Sequence, residues 1–200
     1  MQGLYALKPW YARRLRGITD AAVCRGISPD VFTAIGVLGA AIAAVVIWRG
    51  WWWVALIALA VRLAGANLDG AVARARGVSR PWGFVLNEIG DRVSDLLMFA
   101  GLTALAARTY DGWSSAQVGY VLVASLAASL PTFASLAAAG AGATRRNGGP
   151  FGKTERCLAA VLATAFPGAL TFWAGLIVVG SLGTAIARLT ATHRELAVAG

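Results

Sequence analysis

The sequence predicts an all-α integral membrane protein in which six transmembrane helices follow an N-terminal amphipathic interfacial helix. Three observations predict it. Of 200 residues, 58% are hydrophobic and 14% charged, whereas a soluble domain carries about 25% charged residues. So few polar residues cannot form a shell around a soluble core, and a bilayer is the implied solvent. The apolar stretches approach the roughly 17 to 25 residues that a helix needs to cross hydrocarbon, and their Ala and Gly suit close helix packing. The charges, finally, collect at the ends of these stretches. That distribution also argues against nucleic acid as the partner implied by the net charge of +9.

Residues 4–26 interleave Leu4, Tyr5, Leu7, Trp10, Tyr11 and Leu15 with Lys8, Arg13, Arg14, Arg16 and Arg25. This mixture suits a helix lying on an anionic membrane surface, and a solvated basic arm is the alternative. The segment lacks the continuous apolar core and small-residue cleavage site of a signal peptide. Ser28-Pro29-Asp30 can cap the next helix. Six spans follow at about 31–48, 51–76, 83–107, 116–142, 153–166 and 168–190. The fifth is short and stops at Pro167. Trp51, Trp52 and Trp53 read as interface anchors. Cys24 and Cys157 show neither metal-ligand nor disulfide-framework spacing, and His193 stands outside any cluster. No repeat or linker divides the chain, so residues 1–200 form one membrane domain.

Fourteen of the eighteen Lys and Arg residues fall on one side of this topology, in the N-terminal arm, the segment 2–3 and 4–5 loops, and the tail. Arg49 and Arg108 fall on the other side, and Arg62 and Arg92 lie within segments. The positive-inside rule then puts both termini and those two loops in the cytoplasm, and a multi-pass protein of the inner (plasma) membrane is expected.

The stretch ANLDGAVARARGVSRPWGFVLNEIGDRVSD, residues 66–95, holds four of the nine carboxylates: Asp69, Glu88, Asp91 and Asp95. Asn87, Asp91 and Asp95 recur every fourth residue and share a helix stripe. Gly65, Ala66 and Gly70 leave little bulk around Asp69. If the loop 77–82 makes helices two and three antiparallel neighbours, Asp69 and Asp91 converge. Their oxygens would suit Mg²⁺ or Mn²⁺ clamping a phosphate, with Arg74 neutralising another oxygen. Two other readings stay open on spacing alone. One is a salt-bridge ladder of Glu88, Arg92 and Asp95; the other is a cation path through a transporter.

These residues resemble the signature of the CDP-alcohol phosphotransferases (CDP-alcohol phosphatidyltransferases), membrane enzymes of phospholipid synthesis. That signature runs Asp, two residues, Asp-Gly, two residues, Ala-Arg, eight or nine residues, Gly, three residues, Asp, three residues, Asp. Here it falls on Ala66, Asp69-Gly70, Ala73-Arg74, Gly83, Asn87 and Asp91. The entry Ser28-Pro29-Asp30-Val31-Phe32-Thr33 is similar to the family's Pro-Asn-x-x-Thr. The resemblance implies transfer of a phosphatidyl or other substituted phosphate group from a CDP-alcohol, such as CDP-diacylglycerol, to an acceptor alcohol with release of CMP. It implies a CDP moiety near Gly70, Ala73, Arg74 and Gly83, Mg²⁺ or Mn²⁺ (one or two ions) on Asp69, Asn87 and Asp91, and Asp91 as the base. It also implies a homodimer among membrane lipids.

Two signature acids are missing. Ala66 cannot ligate, and Asn87 offers only a neutral carbonyl oxygen, which favours a single-ion site or a second ion held mostly by substrate. Asn67 and Glu88 are the neighbours that could substitute. The departures also make a non-catalytic CDP-lipid-binding or scaffolding relative the main alternative. Arg145 and Arg146 precede GGPFGKTER and Lys153 and Arg156 lie within it, where a phosphate of the acceptor could dock; contact with anionic lipid headgroups is the competing reading.

Overall fold

The computed structural model describes residues 8–199, all of whose regular elements are helices. Two short helices, α1 (Lys8–Arg14) and α2 (Arg16–Cys24), stand where one interfacial helix was expected. The chain breaks at Leu15, and residues 4–7 of that expectation lie outside the described residues. The bundle then comprises α3 (Pro29–Arg49), α4 (Trp52–Ala75), α5 (Pro81–Thr109), α6 (Ala116–Gly140), α7 (Lys153–Ala165) and α8 (Leu170–Ala199).

Local chemistry sets the helix ends. Ser28 Oγ accepts from Asp30 N at 3.4 Å with Pro29 in the first turn, as its sequence predicts. Gly50, at φ 80°, closes α3 in the left-handed conformation that suits glycine. Ser115 caps α6 through Val118 N. Gly152 N donates to Glu155 Oε2 at 2.8 Å, tying down the start of α7.

Among the described residues, four helices are long and apolar enough to cross a membrane: 29–49, 52–75, 116–140 and the helical run 167–198. The third and fifth expected spans form helices that differ from these. Helix α5 has the length, at 29 residues, but carries Glu88, Asp91, Arg92 and Asp95 in its first half. Helix α7 has 13 residues, about 20 Å at 1.5 Å per residue against roughly 30 Å of hydrocarbon.

Packing is by small residues inside and large apolar residues outside, as lipid requires. Ala40, Ala43, Ala55, Ala106 and Ala160 are fully enclosed, whereas Leu38, Leu96, Leu126, Phe133 and Val179 are exposed. Helix α3 is the hub. Helices α4 and α5 each pack extensively on it and only slightly on each other, so the expectation that α4 and α5 are direct neighbours is corrected. The close approach is made by glycines: a Cβ on Gly65 would lie 2.5 Å from Phe32 O, and one on Gly101 would lie 2.6 Å from Ala44 O. Helix α8 packs on α6, and α7 bridges α4 and α8.

Candidate active site

The polar side chains of six helices meet at one end of the bundle. They come from the N-terminal ends of α3, α5 and α7 and the C-terminal ends of α4, α6 and α8, the pattern of helices that alternate in direction. Asp69, buried on α4, accepts at Oδ2 from Thr33 Oγ1 of α3 at 2.9 Å and from Asn87 Nδ2 of α5. Its Oδ1 accepts from Gly70 N at 2.5 Å. Asp91, one turn beyond Asn87, pairs with Lys153 Nζ at the start of α7. Asp69, Asn87 and Asp91 line one small cavity together with Thr33, Ala66 and Arg62. The convergence expected of Asp69 and Asp91 therefore occurs, through their shared packing on α3.

Two larger clefts open from this point. The first, about 690 Å³, is lined by Asp69, Gly70, Ala73, Arg74 and Gly83, with Asp30, Arg80 and Phe84 towards its rim. The second, about 380 Å³, is lined by Asp91, Lys153, Arg156, Arg188, Glu88 and residues of α1 including Trp10 and Tyr11. The clefts share Ala66, Asn67, Asn87 and Arg145. The absent side chain at Ala66 thus lies where the two meet.

The expected phosphate-docking set is distributed differently from one open loop. Arg145 pairs with Glu88 and stacks over the Phe84 ring. Arg146 pairs with Glu195 at 2.7 Å and leaves the junction of the clefts. Lys153 is on Asp91, and Arg156 is buried against Asp95 at 3.1 Å. Of the expected ladder, Arg92–Asp95 forms at 3.0 Å, while Glu88 turns to Arg145. Asn67, named as a substitute ligand, donates Nδ2 to Leu63 O of its own helix at 2.6 Å.

Sequence reasoning missed the anchor beneath the site. Buried Asp95 receives Arg62 of α4, Arg92 of its own helix and Arg156 of α7. Arg62 also donates to Cys157 Sγ at 2.7 Å. A lone arginine in the apolar run 54–68 was the available signal, since an intramembrane charge requires a partner. Arg188 was missed as well. It donates to Pro131 O, Asn147 O and Gly148 O at 2.6, 2.8 and 3.0 Å, fastening the glycine-rich loop to α6 and α8.

The donor set decides what metal fits. Among the described residues no three His, Cys, Asp or Glu side chains gather as a metal-binding group, so a pair of divalent ions held by protein carboxylates does not fit. One Mg²⁺ does. Such an ion is commonly held by one or two carboxylates, with substrate phosphates and water completing its shell, and Asp69, Asp91 and Asn87 supply that much.

The described residues thus form an all-helical bundle with membrane-spanning helices, in which two clefts meet over a pair of carboxylates. The chain belongs to the CDP-alcohol phosphatidyltransferase family, whose model matches residues 26–187. It is similar to the phosphatidylinositol phosphate synthase of Mycolicibacterium smegmatis, at 37% identity over 99 residues; that alignment covers 48% of this chain and less than half, 44%, of the relative. The corresponding synthase of Mycobacteroides abscessus is 29% identical over 177 residues, covering 84% of this chain and 75% of that protein. The crystal structure of Mycobacterium tuberculosis phosphatidylinositol phosphate synthase with CDP-DAG bound superposes with a TM-score of 0.75 at 25% identity, covering 90% of this chain and 94% of that one.

Proposed function

We propose that the chain transfers a substituted phosphate group from a CDP-alcohol, with CDP-diacylglycerol as donor, to an acceptor hydroxyl, releasing CMP in phospholipid synthesis. The observation that carries this reading is the junction of the two clefts at the signature residues, with Asp69 on one side and Asp91 on the other. The donor's CDP lies in the first cleft along Gly70, Ala73, Arg74 and Gly83. Arg74 is exposed and lies against Gly70, where a Cβ would be 3.1 Å from its Nη1. That glycine leaves the guanidinium room to meet a phosphate oxygen.

The acceptor lies in the second cleft, and the relatives' names point to a phosphorylated inositol. Lys153 and Arg145 border that cleft and would offset an acceptor phosphate; Arg146 and Arg156, bound to Glu195 and Asp95, are less favoured for that role. The acceptor oxygen forms a bond to the β-phosphorus as its proton passes to Asp91. The bond from that phosphorus to the oxygen bridging it to the α-phosphate breaks, and CMP departs with the electron pair. A general base of this kind contributes about 10²–10⁴-fold. Asp69, Asn87 and Asp91 would hold one Mg²⁺ or Mn²⁺, with Glu88 within the same cleft as a secondary donor. When bound, the ion supplies Lewis-acid stabilisation of charge on the diphosphate.

The same reading places six crossings in the inner membrane, with termini and site on the cytoplasmic side, and takes the protein as a homodimer. The test is CMP release by purified protein given CDP-diacylglycerol, inositol phosphate and Mn²⁺. Donor-dependent release supports transfer. Nucleotide binding with no release under any acceptor would instead favour the non-catalytic relative that Ala66 and Asn87 bring to mind.

A further inference from the structure

The site's own charges differ in sign from what a two-ion centre requires. Three carboxylates, Asp69, Asp91 and Asp95, face four fixed cations, Arg62, Arg92, Arg156 and Lys153. An excess of one positive charge is present before any metal enters. A divalent ion brought into such surroundings is repelled by the excess positive charge. Lys153 is the decisive member. It begins α7, a different helix from either signature half, and its ammonium sits on the Asp91 carboxylate at the cavity that Asp69 also lines. The two signature positions that lost their acids, 66 and 87, border that same cavity. Restoring both would add two negative charges, the charge that one more divalent ion neutralises.

We propose that Lys153, held on Asp91, supplies at this site the positive charge of a second divalent ion, so that the chain takes one Mg²⁺ or Mn²⁺ and takes it together with the donor's diphosphate. The inference rests on the placement of the ion among Asp69, Asn87 and Asp91 proposed above. The diphosphate's negative charge reverses the local excess and adds oxygen ligands, so metal and nucleotide bind cooperatively. An ammonium cannot leave with the product as a solvated ion does. The chain therefore keeps this counter-charge through every turnover.

The test counts Mn²⁺ on the purified full-length chain in detergent, from the EPR signal of unbound Mn²⁺ during titration, with and without CDP. We expect one Mn²⁺ per chain, bound more tightly with CDP. Lys153→Gln should tighten Mn²⁺ binding in the absence of CDP by about tenfold, the scale of a unit charge acting a few ångströms away, whereas Lys153→Arg should leave it unchanged. The pair Ala66→Asp with Asn87→Asp should raise the count to two. Two Mn²⁺ on the wild-type chain, or unchanged affinity in a folded Lys153→Gln protein, would overturn the proposal. The wild-type count decides even where the Gln variant is unstable. If no Mn²⁺ binds at all, the proposal falls, and CMP release by the same preparation without metal shows whether phosphoryl transfer survives it.

Discussion

Asp91 and Asp95 lie one helical turn apart and have opposite surroundings. Asp91 lines the second cleft with one ammonium partner, whereas Asp95 is enclosed beneath it by three guanidinium groups. The first is the proposed base, whereas the second joins α4, α5 and α7. Their substitutions should therefore fail differently. Asp91→Asn should lower CMP release by about 10²–10⁴-fold while the protein still melts cooperatively near the wild-type temperature in detergent; normal turnover would remove Asp91 as the base. Asp95→Ala strands Arg62 and Arg156, which are 1% and 3% exposed, at a cost of about 3–5 kcal/mol. It should melt far earlier or fail to assemble. The joint change Arg62→Met with Asp95→Leu removes both members of one pair and should recover part of that loss, because matched apolar replacement of a buried ion pair is often tolerated. No recovery would mean that the pairs to Arg92 and Arg156, which the double change also breaks, carry the loss.

At the scale of elements, the position of Asp69 depends on how closely α4 can lie against α3. Gly65 sits one turn before Asp69 and touches backbone: a Cβ there would be 2.5 Å from Phe32 O and 2.7 Å from Gly36 N. Gly65→Ala must push the helices apart, costing about 1–3 kcal/mol and drawing Asp69 away from Thr33 and Asn87. Loss of CMP release larger than the fall in melting temperature explains is the expected result. Gly183→Ala, with nothing within 4 Å of the added carbon, is the matched control and should leave both unchanged or slightly improve stability. The sequence marked Gly65 as small but not its neighbour. Spacing along a helix says which residues share a face and nothing about which helix that face meets. For this reason the stripe of Asn87, Asp91 and Asp95 was legible as a stripe, while its three separate partners, Asp69, Lys153 and the arginine cluster, were not. Gly70, Ala73, Arg74 and Gly83 do line one cleft, because they lie within one helix–loop–helix whose short connection restricts where they can go. Lys153 shows the limit: spacing alone gives a basic residue in a glycine-rich loop no link to the acid 62 positions earlier against which the fold sets it.

At the scale of the whole molecule, chemistry and charge bias fall at the same end of the bundle. The loop before α5, the loop before α7 and the tail of α8 carry the basic residues and border the two clefts, while Arg49 and Arg108 mark the opposite end, where Arg108 Nη1 donates to Trp48 O at 3.0 Å. Chains insert with their Lys- and Arg-rich loops retained in the cytoplasm, so the clefts should open there. The proposed donor and acceptor, a nucleotide-linked lipid and a phosphorylated alcohol, would both be met on that side. Cysteine labelling in intact cells tests this directly. In a Cys24→Ser background, which removes the exposed native thiol and leaves buried Cys157, a membrane-impermeant maleimide should label Ser114→Cys, in the α5–α6 loop, without permeabilisation. Ser79→Cys, in the lining of the first cleft, should label only once the membrane is opened. The reverse pattern would put the site outside the cell, away from any CDP-linked donor, and the transfer reading would then lose its substrate before any kinetic measurement was made.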